Sequence, residues 1–156
     1  MLQTASGLRF VDVRYPVSFD GDTRHVTPRV SFPFEEDALP IGSFDSLEVH
    51  RTDSVVTIAA LRGGQQLTLT RYRDAEPGLP LEFGQTHVTQ LEDRYEQVLF
   101  GPRGDWIYLI DKAGVIEVFD IVVPSAPKSV FRGRLVPEQQ QLIAIEPLVG
   151  RYSLLV

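Results

Sequence analysis

At 156 residues and 17.5 kDa, the chain is long enough for one domain with a hydrophobic core. Its 43% hydrophobic and 23% charged residues exclude wholesale disorder, and the lack of cysteine excludes disulfides, thiolate zinc sites and cysteine nucleophiles. A net charge of −6 provides no basic field for nucleic acid or anionic lipid, and no apolar run approaches the ~18 residues of a membrane helix, so a soluble segment is expected.

In chain order, the first turn is Asp20-Gly21-Asp22, which returns Leu8–Val17 onto the segment after Val26. Arg29–Phe34 alternates apolar and polar residues, but Pro33 cannot donate to a ladder and demotes the piece to a sheet edge. Leu47–Arg51 alternates too, which predicts a solvent face holding Glu48, His50 and Thr52. Val55–Leu61 is apolar at successive positions and reads as a strand buried on both faces. Arg62-Gly63-Gly64-Gln65 then supplies the positive-φ tolerance of a tight hairpin, and Gln66–Tyr72 resumes a period of two.

Pro77, Gly78, Pro80 and Gly84 mark a loop. Thr86–Val98 offers a helical spacing of Val88, Leu91 and Tyr95, but a strand over Tyr95–Phe100 preceded by a loop is the preferred reading. A second hairpin joins Trp106–Asp111 to Val115–Ile121 through Lys112-Ala113-Gly114. A third folds Leu142–Ile145 onto Tyr152–Val156 across Pro147 and Gly150.

Three hairpin units therefore recur, at Ser54–Tyr72, Trp106–Ile121 and Leu142–Val156. The middle one, with Val98–Asp105 before it, has the strand and turn order of a WD40-type propeller blade. At ~40–45 residues per blade the chain holds about three and a half, fewer than the four of the smallest closed rings. The expected fold is all-β: antiparallel hairpin repeats forming partial propeller-like blades or an open sandwich, in a single domain over residues 1–156 that is a piece of a longer membrane protein. Open strand edges make a homodimer a further expectation.

Chemistry is sparse. Ser43 lacks the second glycine of a nucleophile elbow, and neither Lys112 nor Lys128 follows a glycine as a phosphate loop requires. His25, His50 and His87 are too far apart in sequence to form a zinc motif. Glu35-Glu36-Asp37 and Glu92-Asp93 read as solvated charge, while Asp20, Asp22 and Asp45 would need the fold to bring them together. Arg103, Arg132 and Arg134 are candidate anion contacts, but arginine supplies thirteen of the fifteen basic residues throughout the chain. Trp106 leads an apolar strand and is expected to pack in the core rather than form a binding hot spot. No catalytic, cofactor-binding or metal residue is assigned, and the chain is expected not to be an enzyme.

Glu96–Ile110 followed by Val118-Phe119-Asp120-Ile121 resembles the large periplasmic domain of proteobacterial phosphate ABC transporter permeases. So do Tyr15-Pro16 leading into Thr27–Phe34, and the segment Ser54–Tyr72, in the same order. The resemblance spans most of Phe10–Ile121 and is less clear beyond it. It implies a non-catalytic domain at the periplasmic face of the inner membrane. Its implied partners are the periplasmic phosphate-binding protein and the remaining permease subunits, with no cofactor and no nucleic acid. The other reading is a β-propeller-like interaction scaffold, free-standing or completed by a partner and unrelated to transport.

Overall fold

The computed structural model describes residues 2–4, 7–9, 11–31, 44–52, 54–73, 82–140, 142–143, 145–147 and 154–155. Their alternating and β-branched runs form strands, and among the described residues no helix appears, so the chain is all-β and open. The expected Pro33 edge, Ser43 and the Glu35-Glu36-Asp37 run lie outside the described residues. The chain divides into two compact units, residues 1–43 with 78–80, and residues 44–77 with 81–156.

The first unit begins with β1 (Leu2–Thr4) paired to β2 (Gly7–Arg9). It continues as β3 (Asp12–Arg14), β4 (Val17–Asp20), β5 (Thr23–Val26) and β6 (Arg29–Ser31). β3 pairs with β6 and β4 with β5 in one unbroken register, Arg14 opposite Arg29 and Val17 opposite Val26. The four strands are thus one long antiparallel ribbon, closed by the expected turn at Asp20-Gly21-Asp22, where Gly21 has φ 60°. Pro16 and Pro28 interrupt the ladder midway, and the Thr27 N–H still reaches the Pro16 carbonyl at 3.3 Å.

The second unit holds β7 (Ser46–Arg51), β8 (Val55–Arg62), β9 (Gln66–Arg73), β10 (Glu82–Gln90), β11 (Gln97–Phe100), β12 (Trp106–Ile110), β13 (Val115–Asp120) and β14 (Lys128–Arg134). They make two four-stranded antiparallel sheets, β10-β9-β8-β7 and β11-β12-β13-β14. Each is a meander in which consecutive strands are neighbours, the strand order expected of a propeller blade.

Apolar residues from both sheets meet in one core: Ala59, Leu61, Leu67 and Leu69 from β8 and β9, and Val98, Phe100, Ile107 and Leu109 from β11 and β12, closed by Leu91, Tyr95 and Ile121. Each fully buried Leu or Ile here contributes roughly 1.5–3 kcal/mol by leaving water. The second face of β11-β12-β13-β14 carries Leu99, Tyr108, Ile110, Ile116 and Val118, packed with Ile145 and flanked by Leu135 and Leu142. As expected, β8 is buried on both faces: every residue from Val56 to Leu61 is 4% exposed or less.

Three expectations change. His50 does not face solvent: its ring lies 5.5 Å from that of Phe100 and leaves no room for a Cβ at Gly104. β7 stacks beside β11, so the row Ser46, Glu48 and His50 faces the neighbouring sheet, and the Ser46 hydroxyl accepts the Val98 N–H at 3.0 Å. The segment before Tyr95 is not all loop, because Glu82–Gln90 pairs with β9 across a bulge at Gly84. The C-terminal pairing also shifts: β15 (Glu146–Pro147) meets β16 (Leu154–Leu155), rather than Leu142–Ile145 meeting Tyr152–Val156.

Candidate functional site

The second unit carries two candidate sites: a charged cleft at the turn end of its sheets, and an exposed apolar stretch on one sheet.

The cleft, of about 660 Å³, is lined by Asp45, Gly64, Arg94, Tyr95, Glu96, Asp111, Lys112 and Ala113. It lies where the β8–β9 and β12–β13 turns approach the connection before β11. Gly63 and Gly64 adopt φ 59° and 71°, which fits their expected role in the turn. Gly64 does more than turn: a Cβ there would sit 2.7 Å from Arg94 Cγ and 2.8 Å from the Tyr95 carbonyl oxygen. The approach is fixed by backbone bonds, the Tyr95 N–H donating to the Gly64 carbonyl at 2.8 Å and the Leu91 N–H to that of Gln65 at 2.7 Å.

Each carboxylate of the cleft has a structural task. Asp45 accepts the Gly64 N–H and Asp111 the Val115 N–H, both at 2.8 Å, while Glu96 pairs with the Lys112 ammonium at 2.7 Å. The cleft is therefore a braced junction of turns, with Asp45 and Asp111 occupied in holding the backbone and Glu96 matched by Lys112. Lys112 and Glu96 are both substantially exposed, so their pair adds little stability.

Behind the cleft, the Tyr95 hydroxyl donates to the Glu117 carboxylate, and Arg132 pairs with Asp93. Burial first, and then the Glu117 hydrogen bond and charge, push the Tyr95 phenol above its ordinary range. Arg71 donates to the carbonyls of Ile121 at 3.0 Å and Val122 at 3.4 Å, tying the two sheets together, and burial lowers its pKa.

The sequence candidates do not assemble into a reactive centre. His87 bonds Gln85 at 3.2 Å, His50 packs on Phe100, and His25 is exposed on the ribbon. Asp20 and Asp22 stand at the ribbon's turn, and Asp45 braces the cleft. Arg132 is matched by Asp93, while Arg134 donates to the Ala113 carbonyl at 2.9 Å and sits 3.9 Å from Glu138. Among the described residues no three His, Asp or Glu side chains converge as metal ligands.

The apolar stretch lies on β11-β12-β13-β14. Its second face is covered at one end by Ile145, Leu142 and Leu135. At the other end Trp106 is 40% and Phe131 is 56% exposed. Register places Trp106 in line with Asp120 and Lys128, and Phe131 beside Val118 and Tyr108, so both belong to that face. Val122, Val123 and Val130 are exposed as well. Trp106 is thus less buried than its place at the head of an apolar strand suggests. Phe131 was missed because Val130 and Phe131 are adjacent in sequence, and only the bulge in the β13–β14 pairing sets which way each points.

No family model matches the chain, and no curated protein or solved structure matches it either.

Proposed function

We propose that the chain is a non-catalytic docking domain of a phosphate ABC transporter permease, presented at the periplasmic face of the inner membrane to the phosphate-binding protein. The observation that carries the docking part is the half-covered sheet face, with Trp106 and Phe131 open to solvent on it. Exposed aromatic residues on one face of a rigid sheet suit a protein partner, because aromatic anchors supply most of the binding energy in such interfaces. The transporter part rests on the resemblance. Its three segments coincide in order with the ribbon of residues 12–31, the β8–β9 hairpin and β11–β13.

Calorimetry against the periplasmic phosphate-binding protein, with and without phosphate, tests the reading. Binding is expected, and Trp106→Ser or Phe131→Ser should weaken it at least tenfold, the loss of one anchor of about 1.4 kcal/mol or more. Absence of binding by the unaltered chain would refute the docking role.

A second reading, a propeller-like scaffold completed by a partner, is favoured by one observation: two blade-like meanders, where the smallest rings need four. A coding sequence that continues into several hydrophobic segments would support the permease; its absence would support the scaffold.

A further inference from the structure

β10 is the outer strand of the sheet β10-β9-β8-β7, and its far side meets no other strand among the described residues. Its pairing with β9 fixes which backbone groups look outward. The Leu91 N–H donates to the Gln65 carbonyl at 2.7 Å, so Leu91 turns its amide toward β9. Antiparallel pairs alternate, which turns the amides of Thr89 and His87 inward too, and those of Gln90, Val88 and Thr86 outward. The Thr70 and Thr86 hydroxyls meet at 3.1 Å, the close side-chain approach of a pair that exchanges no backbone bonds. Each outward residue offers one N–H and one carbonyl, and no described strand takes them.

Three features of this edge select a second copy of the chain. From Gly84 to Gln90 it has no Asp, Glu, Lys, Arg or Pro, so it lacks the charges and missing donors that keep an edge from meeting itself. β14, the outer strand of the other sheet, shows the contrast: it carries Lys128, Arg132 and Arg134 and a bulge midway. The outward row is also symmetric about Val88. A two-fold axis there sets Val88 opposite Val88, and Thr86 opposite Gln90 of the second copy on either side, so every outward N–H and carbonyl is bonded. An axis at His87 would set Gln90 against the Gly84 bulge, and one at Thr89 would run Thr86 past the strand's end. Finally, Val88 is apolar and 60% exposed, and the axis through it covers each copy's valine with the other's.

We propose that β10 pairs edge to edge with β10 of a second copy, antiparallel and centred on Val88, so that two four-stranded sheets become one continuous sheet. The two-fold axis closes the contact, and the charged, bulged edge of β14 does not extend it, so association stops at the dimer. No residue of the surface around Trp106 takes part, so the dimer and the docking reading stand or fall separately.

Sedimentation equilibrium of the full chain over about 1–500 μM tests the association. A monomer–dimer equilibrium is expected, with a dissociation constant on the order of 10–100 μM, as suits an interface smaller than about 1,200 Å². Val88→Pro removes an outward N–H and leaves the ladder to β9 intact, so it should weaken the dimer at least tenfold. Val88→Lys and Val88→Glu should each do the same, by setting like charges opposite one another across the axis. These two keep the test decisive if the proline disturbs β10. An equimolar mixture of Val88→Lys and Val88→Glu chains should recover the association in low salt, because the axis sets position 88 of one copy opposite position 88 of the other. Amide exchange followed by NMR should show protection of Thr86, Val88 and Gln90 that rises with concentration, while Arg132 and Arg134 stay unchanged. A monomer at every concentration, or a dimer indifferent to Val88→Pro and Val88→Lys, would overturn the proposal. So would a lysine–glutamate mixture that stays monomeric, or concentration-dependent protection found on β14 instead.

Discussion

At Gly64 two requirements coincide that sequence presents as one. The residue turns at φ 71°, and it also lets the Arg94 side chain and Tyr95 carbonyl approach within 2.8 Å of where a Cβ would stand. Gly63 next to it has φ 59° and open space around it. Gly63→Ala should therefore cost about 1 kcal/mol, the strain of the left-handed conformation alone. Gly64→Ala should cost about 2–3 kcal/mol, because the backbone carbonyl cannot yield as a flexible side chain can. Urea unfolding of the two variants measures the difference, and equal losses would mean that the turn junction is looser than these distances imply. His50 shows the same limit of local reading. Its alternation along β7 is plain in the sequence, but its exposure depends on β11, some fifty residues away.

At the scale of strands, the legible elements were those whose burial is set by their own composition. β8 is apolar at consecutive positions and buried on both its faces, and β9 alternates; both formed where expected. β10 was missed because its exposed Gln85, Thr86, Val88 and Gln90 lie on an edge, where no core imposes an apolar period. The sheet β11-β12-β13-β14 supports a contrast between core and surface. Ile107→Ala, at a site with 0% exposure between the two sheets, should cost about 3–4 kcal/mol. Phe131→Ser on outer strand β14 should change stability by less than about 0.5 kcal/mol while weakening partner binding. Thermal and urea unfolding separate the two. A large loss at Phe131 would show that the residue serves packing and not docking.

For the molecule as a whole, buried phenols link folding to alkaline pH. Burial raises the Tyr72 pKa from 10.0 to about 12 and pushes that of Tyr95 up as well, further helped by Glu117. A phenol whose folded pKa lies above its unfolded value holds its proton in the folded state after the unfolded chain has lost it. Stability from these groups is therefore complete below about pH 10 and declines as pH rises above it, by about 1.4 kcal/mol per pH unit for each. Tyr72→Phe should flatten the decline between pH 10 and 12, as followed by urea unfolding at fixed ionic strength. An unchanged slope would mean that the buried phenol ionises as freely as in the unfolded chain.

The alternation of Leu47–Arg51 and Gln66–Tyr72, the double-sided apolar run of Val55–Leu61 and the glycine turns were enough to predict an all-β chain of antiparallel hairpins. Each of those signals is local, set by the two-residue period of a strand or the φ of a turn. The tertiary structure alone decided which faces meet. It turned His50 inward against Phe100, tied Asp45 of the cleft to the Gly64 amide, and left Trp106 and Phe131 exposed. It also aligned the two arms of the ribbon so that their apolar residues share one side. Burial and register depend on contacts between distant segments, and a chain's own periodicity carries no record of what will pack against it.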